Sequence, residues 1–112
     1  MNLKEINHKI LSLPTIMGIS AEISIIKELM NLKADDLIKN KDIFRCIVES
    51  LELSHGDSGF MELTKNNENI FIDFYHWLKR INKQLNINIH MNTIDCFSLT
   101  VEEVNRLMSP YK

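Results

Sequence analysis

Apolar positions along this chain recur mostly at helical spacing. Leu3, Ile6, Ile10 and Leu13 return every three or four residues, which predicts an amphipathic helix over 2–13 that Pro14 ends. A connection over 14–19, with Gly18 as its flexible point, leads to a second helix over 21–32. Ser20 is the expected N-cap of that helix, and Glu22 lies in its first turn, where the helix dipole favours an acid. Ile23, Ile25, Ile26, Leu29, Met30 and Leu32 cover almost half of its circumference, so it should be contacted on two sides and lie beside the most aromatic helix. ADDLIKN, 34–40, reads as a short helical turn. Asp42 can cap a helix over 43–53, with Ile43, Phe44, Ile47, Val48 and Leu51 inward and Arg45, Glu49 and Glu52 outward. The stretch SHGDSG, 54–59, is the clearest loop signal, and 60–64 reads either as a last helical turn or as a short extended piece.

The most apolar face belongs to Asn69–Leu85. Four of the eight aromatic residues are here (Phe71, Phe74, Tyr75, Trp77). At 100° per residue, Ile70, Phe71, Phe74, Trp77, Leu78, Ile81 and Leu85 fall within an arc of about 120°. This is the expected central core helix, with Asn66, Asn67 and Asn69 as candidate caps. On its far side Ile72, with Tyr75 and His76 beside it, is a second core contact or an interface anchor, and a core helix packed on two sides fits the former. NINIHMN, 86–92, alternates like a half-buried strand, but no second strand exists to pair its backbone. An extended loop laid over the core is therefore expected, with a short hairpin to 94–99 as the alternative. TVEE, 100–103, has the capping-box spacing and starts a C-terminal helix with Val101, Val104, Leu107 and Met108 inward. The pattern gives an all-α fold: one domain over 1–112, a compact bundle of about five helices with an extended segment or small hairpin near 86–99.

Composition narrows the chemistry. The two cysteines, Cys46 and Cys96, are fifty residues apart, with no CxxC, as in reduced thiols of a cytoplasmic protein. No apolar run has the length of a membrane span, and the N-terminus lacks the uninterrupted apolar core of a secretory signal. Gly56-Asp57-Ser58-Gly59 matches the string around the nucleophile of chymotrypsin-like proteases, but those are β-barrel enzymes about twice this length, and the serine works only beside a positioned histidine and aspartate. None of His8, His55, His76 and His90 stands four residues from another, so no helix face presents two imidazoles to a metal. The acid pairs Asp35-Asp36 and Glu102-Glu103 lie at predicted helix starts, where the dipole accounts for them. These readings give no enzyme, no cofactor and no metal.

Charge layout adds the feature with functional content. Residues 42–73 carry seven acids (Asp42, Glu49, Glu52, Asp57, Glu62, Glu68, Asp73) against two bases, whereas 74–93 carry Lys79, Arg80 and Lys83 and no acid. The formal net charge of -2 therefore hides an acidic middle. Such a segment is either a solvated face or a patch that steers a basic partner. His76, Lys79, Arg80 and Lys83 mark a second surface, a thin basic footprint of the kind a small nucleic-acid-binding or regulatory module uses.

With its acidic 42–73 segment, helical pattern and lack of catalytic motifs, the chain resembles the immunity proteins that protect bacteria from contact-dependent growth-inhibition toxins. The resemblance implies a cytoplasmic protein that binds one cognate toxin domain, often a nuclease (RNase or DNase), and covers its basic active-site cleft. The expected partner-binding residues are Glu49, Glu52, Asp57 and Glu62, with Phe60 as a loop anchor. Neither direct nucleic-acid contact nor membrane binding is expected on this reading.

Overall fold

The first helix begins where the sequence places a cap. Asn2 accepts the Glu5 N–H through its side chain (2.9 Å) and donates its own N–H to the Glu5 carboxylate (3.4 Å), a reciprocal capping box that opens α1, Leu3–Leu11. A second acid serves the same helix end from a distance: Asp36 Oδ2 accepts the Leu3 N–H at 3.1 Å, while Asp36 Oδ1 accepts from the Asn40 side chain at 2.9 Å. The computed structural model describes residues 1–62 and 65–98, with side chains for 1–56 and 70–98. The expected C-terminal helix from Thr100, with Glu102 and Glu103, lies outside the described residues, as does the choice between helix and extended chain at 63–64.

Helix α2, Ile19–Met30, starts two residues before the expected point. Gly18, not Ser20, is its N-cap, at φ +82°. A Cβ added to Gly18 would meet nothing within 4 Å, so the backbone conformation and not space calls for glycine. The short α3, Ala34–Lys39, follows as expected.

Helix α4, Lys41–Glu62, departs most from expectation. It merges the predicted 43–53 helix, the predicted SHGDSG loop and residues 60–62 into one rod, with Asp42 inside its first turn. Glycine inside a helix costs about 1 kcal/mol relative to alanine. Against that, the buried face of Phe44, Ile47, Val48 and Leu51 continues one turn further through Ser54 and His55, both of which are buried and hydrogen-bonded. Tertiary contacts override the local loop signal.

Helix α5, Lys65–Leu85, is the aromatic helix, and it starts before the asparagines offered as its caps. Phe71, Phe74 and Leu78 are fully buried, and Trp77 is nearly so. The Trp77 ring meets Phe44 edge-on and stacks on Phe74, each at a centroid distance of 5.8 Å. Helix α2 packs against both α4 and α5, which is the two-sided contact its apolar arc demands, and α1 lies on α4 and α2. On the far side of α5, Tyr75 is half-buried against the core, Ile72 is half-buried and His76 is exposed.

After α5 the chain reverses through Asn86 and Asn88, at φ 52° and 66° in the left-handed region that asparagine tolerates best after glycine. Ile87 and Ile89 are buried and the alternating Asn86, Asn88 and His90 are exposed, so the segment is the extended loop over the core. Its lone backbone is satisfied by side chains. Asn82 accepts the Ile89 N–H at 2.7 Å and donates to the Ile89 carbonyl at 3.2 Å, and Arg45 Nη1 donates to the Ile87 carbonyl at 3.2 Å. The hairpin alternative is not adopted: 91–95 form α6, Met91–Asp95, and Cys96–Ser98 form a 3-10 turn. Both close over α4 and α5, with Phe97 fully buried edge-on to Phe74 at 5.0 Å.

Candidate interaction face on helix α4 and the polar cluster behind it

The inward face of α4 fixes what its outer face can present. With Phe44, Ile47, Val48, Leu51, Ser54 and His55 buried, the residues left in solvent are Asp42, Cys46, Glu49 and Leu53, spaced four, three and four apart in one stripe. Leu53 keeps 61% of its surface exposed. Glu49 is exposed, and Glu52 is half-buried at the edge nearer the 3-10 turn, where its charge reaches Cys96. At the start of the stripe Arg45 pairs with Asp42, so Asp42 adds little net charge. Among the described residues neither Glu49 nor Glu52 has an ion-pair partner.

Of the expected partner-binding residues, Glu49 and Glu52 therefore lie on the accessible half of α4. Asp57, Phe60 and Glu62 belong to its continuation, and their side chains lie outside the described residues. The expectation of a loop anchor at Phe60 is corrected at the level of the backbone, because 54–59 is helix.

Behind this face lies a cluster that sequence reading assigned to other roles. Glu22 is fully buried. Its Oε1 stands 3.1 Å from His55 Nδ1, and its Oε2 accepts from Ser54 Oγ at 3.3 Å. A carboxylate oxygen only accepts, so the imidazole donates from Nδ1. Ser54 Oγ in turn accepts the Met17 N–H at 2.9 Å. The imidazole ring lies between Phe71, at a centroid distance of 4.4 Å, and Phe97, at 5.2 Å. A signal for the cluster was present in the sequence: Glu22 falls in the stripe Ile19–Glu22–Ile26–Leu29, an acid on the most apolar face of an apolar helix. Ser54 and His55 likewise fall three and four residues after Leu51.

Serine, histidine and glutamate together suggest a hydrolase, but their order is wrong for one. Glu22 stands between the other two, so Ser54 Oγ bonds to a carboxylate and not to an imidazole that could take its proton. Glu22 and Ser54 are also sealed from solvent, at 0% exposure each. The arrangement joins α2, α4 and the connection before α2, and it orients no group toward a substrate.

Cys96 is half-buried beside this cluster, its thiol donating to the Thr93 carbonyl at 3.0 Å. Burial, and then the charges of Glu52, Glu22 and Asp95, push the Cys96 thiol far above its ordinary value. Cys46 is exposed on the α4 stripe. No three of the described His, Cys, Asp and Glu side chains converge as a metal site would require, and among the described residues no helix is long and apolar enough to cross a membrane.

After the exposed Asp73, the outer side of α5 is basic. His76, Lys79, Arg80 and Lys83 are all exposed, and among the described residues none is ion-paired; the Lys79 ammonium lies 5.1 Å from the centre of the Tyr75 ring. No known protein family, curated protein or solved structure matches this chain.

Proposed function

We propose that the protein is a cytoplasmic binding protein of the toxin-immunity type, which occludes the basic active-site cleft of a cognate toxin domain, a nuclease, with the outer face of α4. One observation carries the reading: Glu49 stands exposed and unpaired on that face, between Cys46 and the exposed Leu53, with Glu52 on its flank. Two acids beside accessible apolar surface supply both halves of a protein interface, charge to steer the encounter and area to hold it. A nuclease cleft is lined with cations that hold phosphates, and carboxylates can take those positions.

The test is capture of the partner from the source cell with tagged protein, followed by a nuclease assay of the captured species and measurement of association between 50 and 500 mM salt, range chosen for its effect on screening. The reading requires that the partner degrade nucleic acid, that stoichiometric protein block it, and that the association rate fall as salt rises. Glu49→Lys with Glu52→Lys should weaken the complex while the circular dichroism spectrum is unchanged. A partner without nuclease activity refutes the toxin assignment, and an on-rate insensitive to salt refutes the electrostatic mechanism.

The exposed basic stripe on α5 favours a second reading, direct binding of nucleic acid by His76, Lys79, Arg80 and Lys83. A low-salt gel shift abolished by Lys79→Glu with Lys83→Glu would select it; absence of any shift removes it.

A further inference from the structure

Helix α5 and the loop after it form a stretch without acids. No Asp or Glu follows Asp73 until Asp95, and between them the chain carries Lys79, Arg80 and Lys83. His76, Lys79, Arg80 and Lys83 keep the i, i+3, i+4, i+7 spacing, so they form one exposed row on the side of α5 opposite Phe71, Phe74, Leu78 and Ile81. The row does not stop with the helix. Lys41, at the start of α4, donates from its ammonium to the Asn86 carbonyl at 3.4 Å, just past the end of α5. Arg45, which reaches the neighbouring Ile87 carbonyl, is paired with Asp42 and adds no net charge. Lys79, Arg80, Lys83 and Lys41 therefore line a run that, from His76 to Asn86, extends about 15 Å along the helix axis.

This face has charge without apolar area. The exposed residues of α5, among those described, are Asp73, His76, Lys79, Arg80, Lys83 and Gln84, all polar. None of the exposed large apolar side chains among the described residues lies on α5; the one that falls between Asp73 and Asp95, Met91, is on α6. A protein partner is held by an apolar centre, and a helix on a membrane surface needs apolar side chains that enter the lipid. A phosphate backbone requires neither, because release of its counterions supplies the affinity. The rings separate duplex from single strand. Single-strand sites stack successive bases on accessible aromatic side chains. On α5, Phe71, Phe74 and Trp77 are buried, and Tyr75 is half-buried with the Lys79 ammonium 5.1 Å from its ring centre, which leaves the His76 imidazole as the one exposed ring of the described part of α5. A duplex presents one charge per about 1.7 Å of its axis, twice the density of either strand.

We infer that the α5 row, continued by Lys41 of α4, is a track for the phosphate backbone of duplex nucleic acid, bound without regard to sequence. The exposed Asp73, one turn before His76, closes the track at its other end, because a carboxylate there repels phosphate. The inference rests on the nucleic-acid reading of α5 and adds to it a cation from a second helix and the form of the ligand. It is independent of the acidic face of α4.

The experiment uses the full chain, a fluorescein-labelled mixed-sequence DNA duplex, one of its strands alone, and vesicles containing phosphatidylserine. Binding to DNA is read by fluorescence anisotropy over a salt series, and binding to vesicles by co-sedimentation. The duplex should bind more tightly than the single strand, with log K falling against log salt at a slope of about −3.6, the value for four phosphate contacts. Lys41→Gln should weaken duplex binding about tenfold at ~50 mM salt and reduce the slope by about 0.9. Lys41→Arg, which keeps the charge, should preserve both, and so should Lys4→Gln on α1, which alters the net charge as much as Lys41→Gln does. Asp73→Asn should tighten binding, and Glu49→Gln on the α4 face should leave it unchanged. Unaltered Trp77 fluorescence in each variant establishes that it folds. If Lys41→Gln and Lys4→Gln bind alike while Lys79→Glu with Lys83→Glu abolishes binding, the extension to α4 fails and the α5 reading stands. Tighter binding of the single strand overturns the duplex assignment. Absence of binding to either form of DNA at low salt overturns both the inference and the α5 reading, and sedimentation with the vesicles in that case assigns the row to a lipid surface.

Discussion

Replacing Glu22 by leucine tests whether the buried cluster is as dry and as tightly coupled as its geometry indicates. The substitution keeps the bulk of the side chain and removes both acceptor oxygens. Ser54 Oγ loses its carboxylate partner at 3.3 Å, and His55 Nδ1 loses the one at 3.1 Å, while both residues stay buried under Phe71 and Phe97. Leaving a buried polar group without its partner costs about 1–3 kcal/mol. Two such groups, partly offset by the better burial of leucine, give a loss of about 2–4 kcal/mol. Domains of this size hold about 5–15 kcal/mol in total, so the variant should fold but melt far earlier. The second arm is Glu22→Leu with His55→Phe. Phenylalanine keeps an aromatic ring between Phe71 and Phe97 and has no N–H to satisfy, so the double variant should be more stable than the sum of the single changes by about 1–3 kcal/mol. Urea unfolding followed by Trp77 fluorescence and far-ultraviolet circular dichroism gives all four corners of the cycle, provided the slopes agree. A loss below about 1 kcal/mol for Glu22→Leu, or strict additivity in the double variant, would refute the picture of a desolvated, coupled cluster.

Asn82→Ala should destabilise the protein by about 2–4 kcal/mol, because the Ile89 N–H and carbonyl, both held by that one amide, lose their partners; Asn82→Asp keeps the acceptor and should cost less, with the Ile89 amide's hydrogen exchange as the local readout. A thiol reagent at pH 8 should label the exposed Cys46 quickly, and Cys96 only after denaturant is added. Stability should also fall in alkali. The unfolded chain loses the Cys96 proton as pH passes the ordinary value of 9.0, and the folded chain retains it, so the contribution is intact below that pH and is lost above it. The slope from this group is at most about 1.4 kcal/mol per pH unit, and Cys96→Ala should remove it; an unchanged alkaline limb in that variant would show that Cys96 does not titrate differently in the two states.

Much of this architecture was legible because burial and helical period agree. The arc Ile70–Leu85 is buried along its middle and half-buried at its two ends, as its spacing says, and the helix carrying Ile19, Ile23, Ile25 and Ile26 is contacted by α4 and α5 together. The isolated alternation at Ile87 and Ile89 also translated correctly into an extended loop, since nothing else in the chain could pair it as a strand. The sequence misled where local and tertiary preferences conflict. Ser54, His55 and Gly56 are turn residues by propensity, and they are helical here because a partner distant in the chain, the single acid Glu22 on another helix, satisfies two of them inside the core. Glu22 itself looked like an ordinary first-turn acid; its register with Ile19, Ile26 and Leu29 was the better guide. The candidate face was half legible: Glu49 and Glu52 fall outward by period alone, but the depression between Leu11 and Leu53 depends on how the 12–18 connection folds back on α4, which no periodicity encodes.

The surface beside α4 and the buried cluster meet at Met17. Met17 lines the depression between the 12–18 connection and Leu53 of α4, and its N–H is donated to Ser54 Oγ, the same hydroxyl that bonds to Glu22. The connection that shapes one wall of this depression is therefore fastened to α4 through the buried cluster, and the cluster shapes the surface beside α4 even though it faces no solvent. Ser54→Ala separates this role from global stability. It removes one hydroxyl, leaves the Glu22–His55 contact in place, and deprives the Met17 N–H of its acceptor, at a cost of about 1–3 kcal/mol. If the hydroxyl holds the connection in position, amide exchange at Met17 should accelerate, while the amides of α5 remain as protected as in the unaltered protein. Uniform loss of protection across α5 would instead make Ser54 a general stability residue, and unchanged exchange at Met17 would show that the connection is held by the burial of Leu13 and Met17 alone.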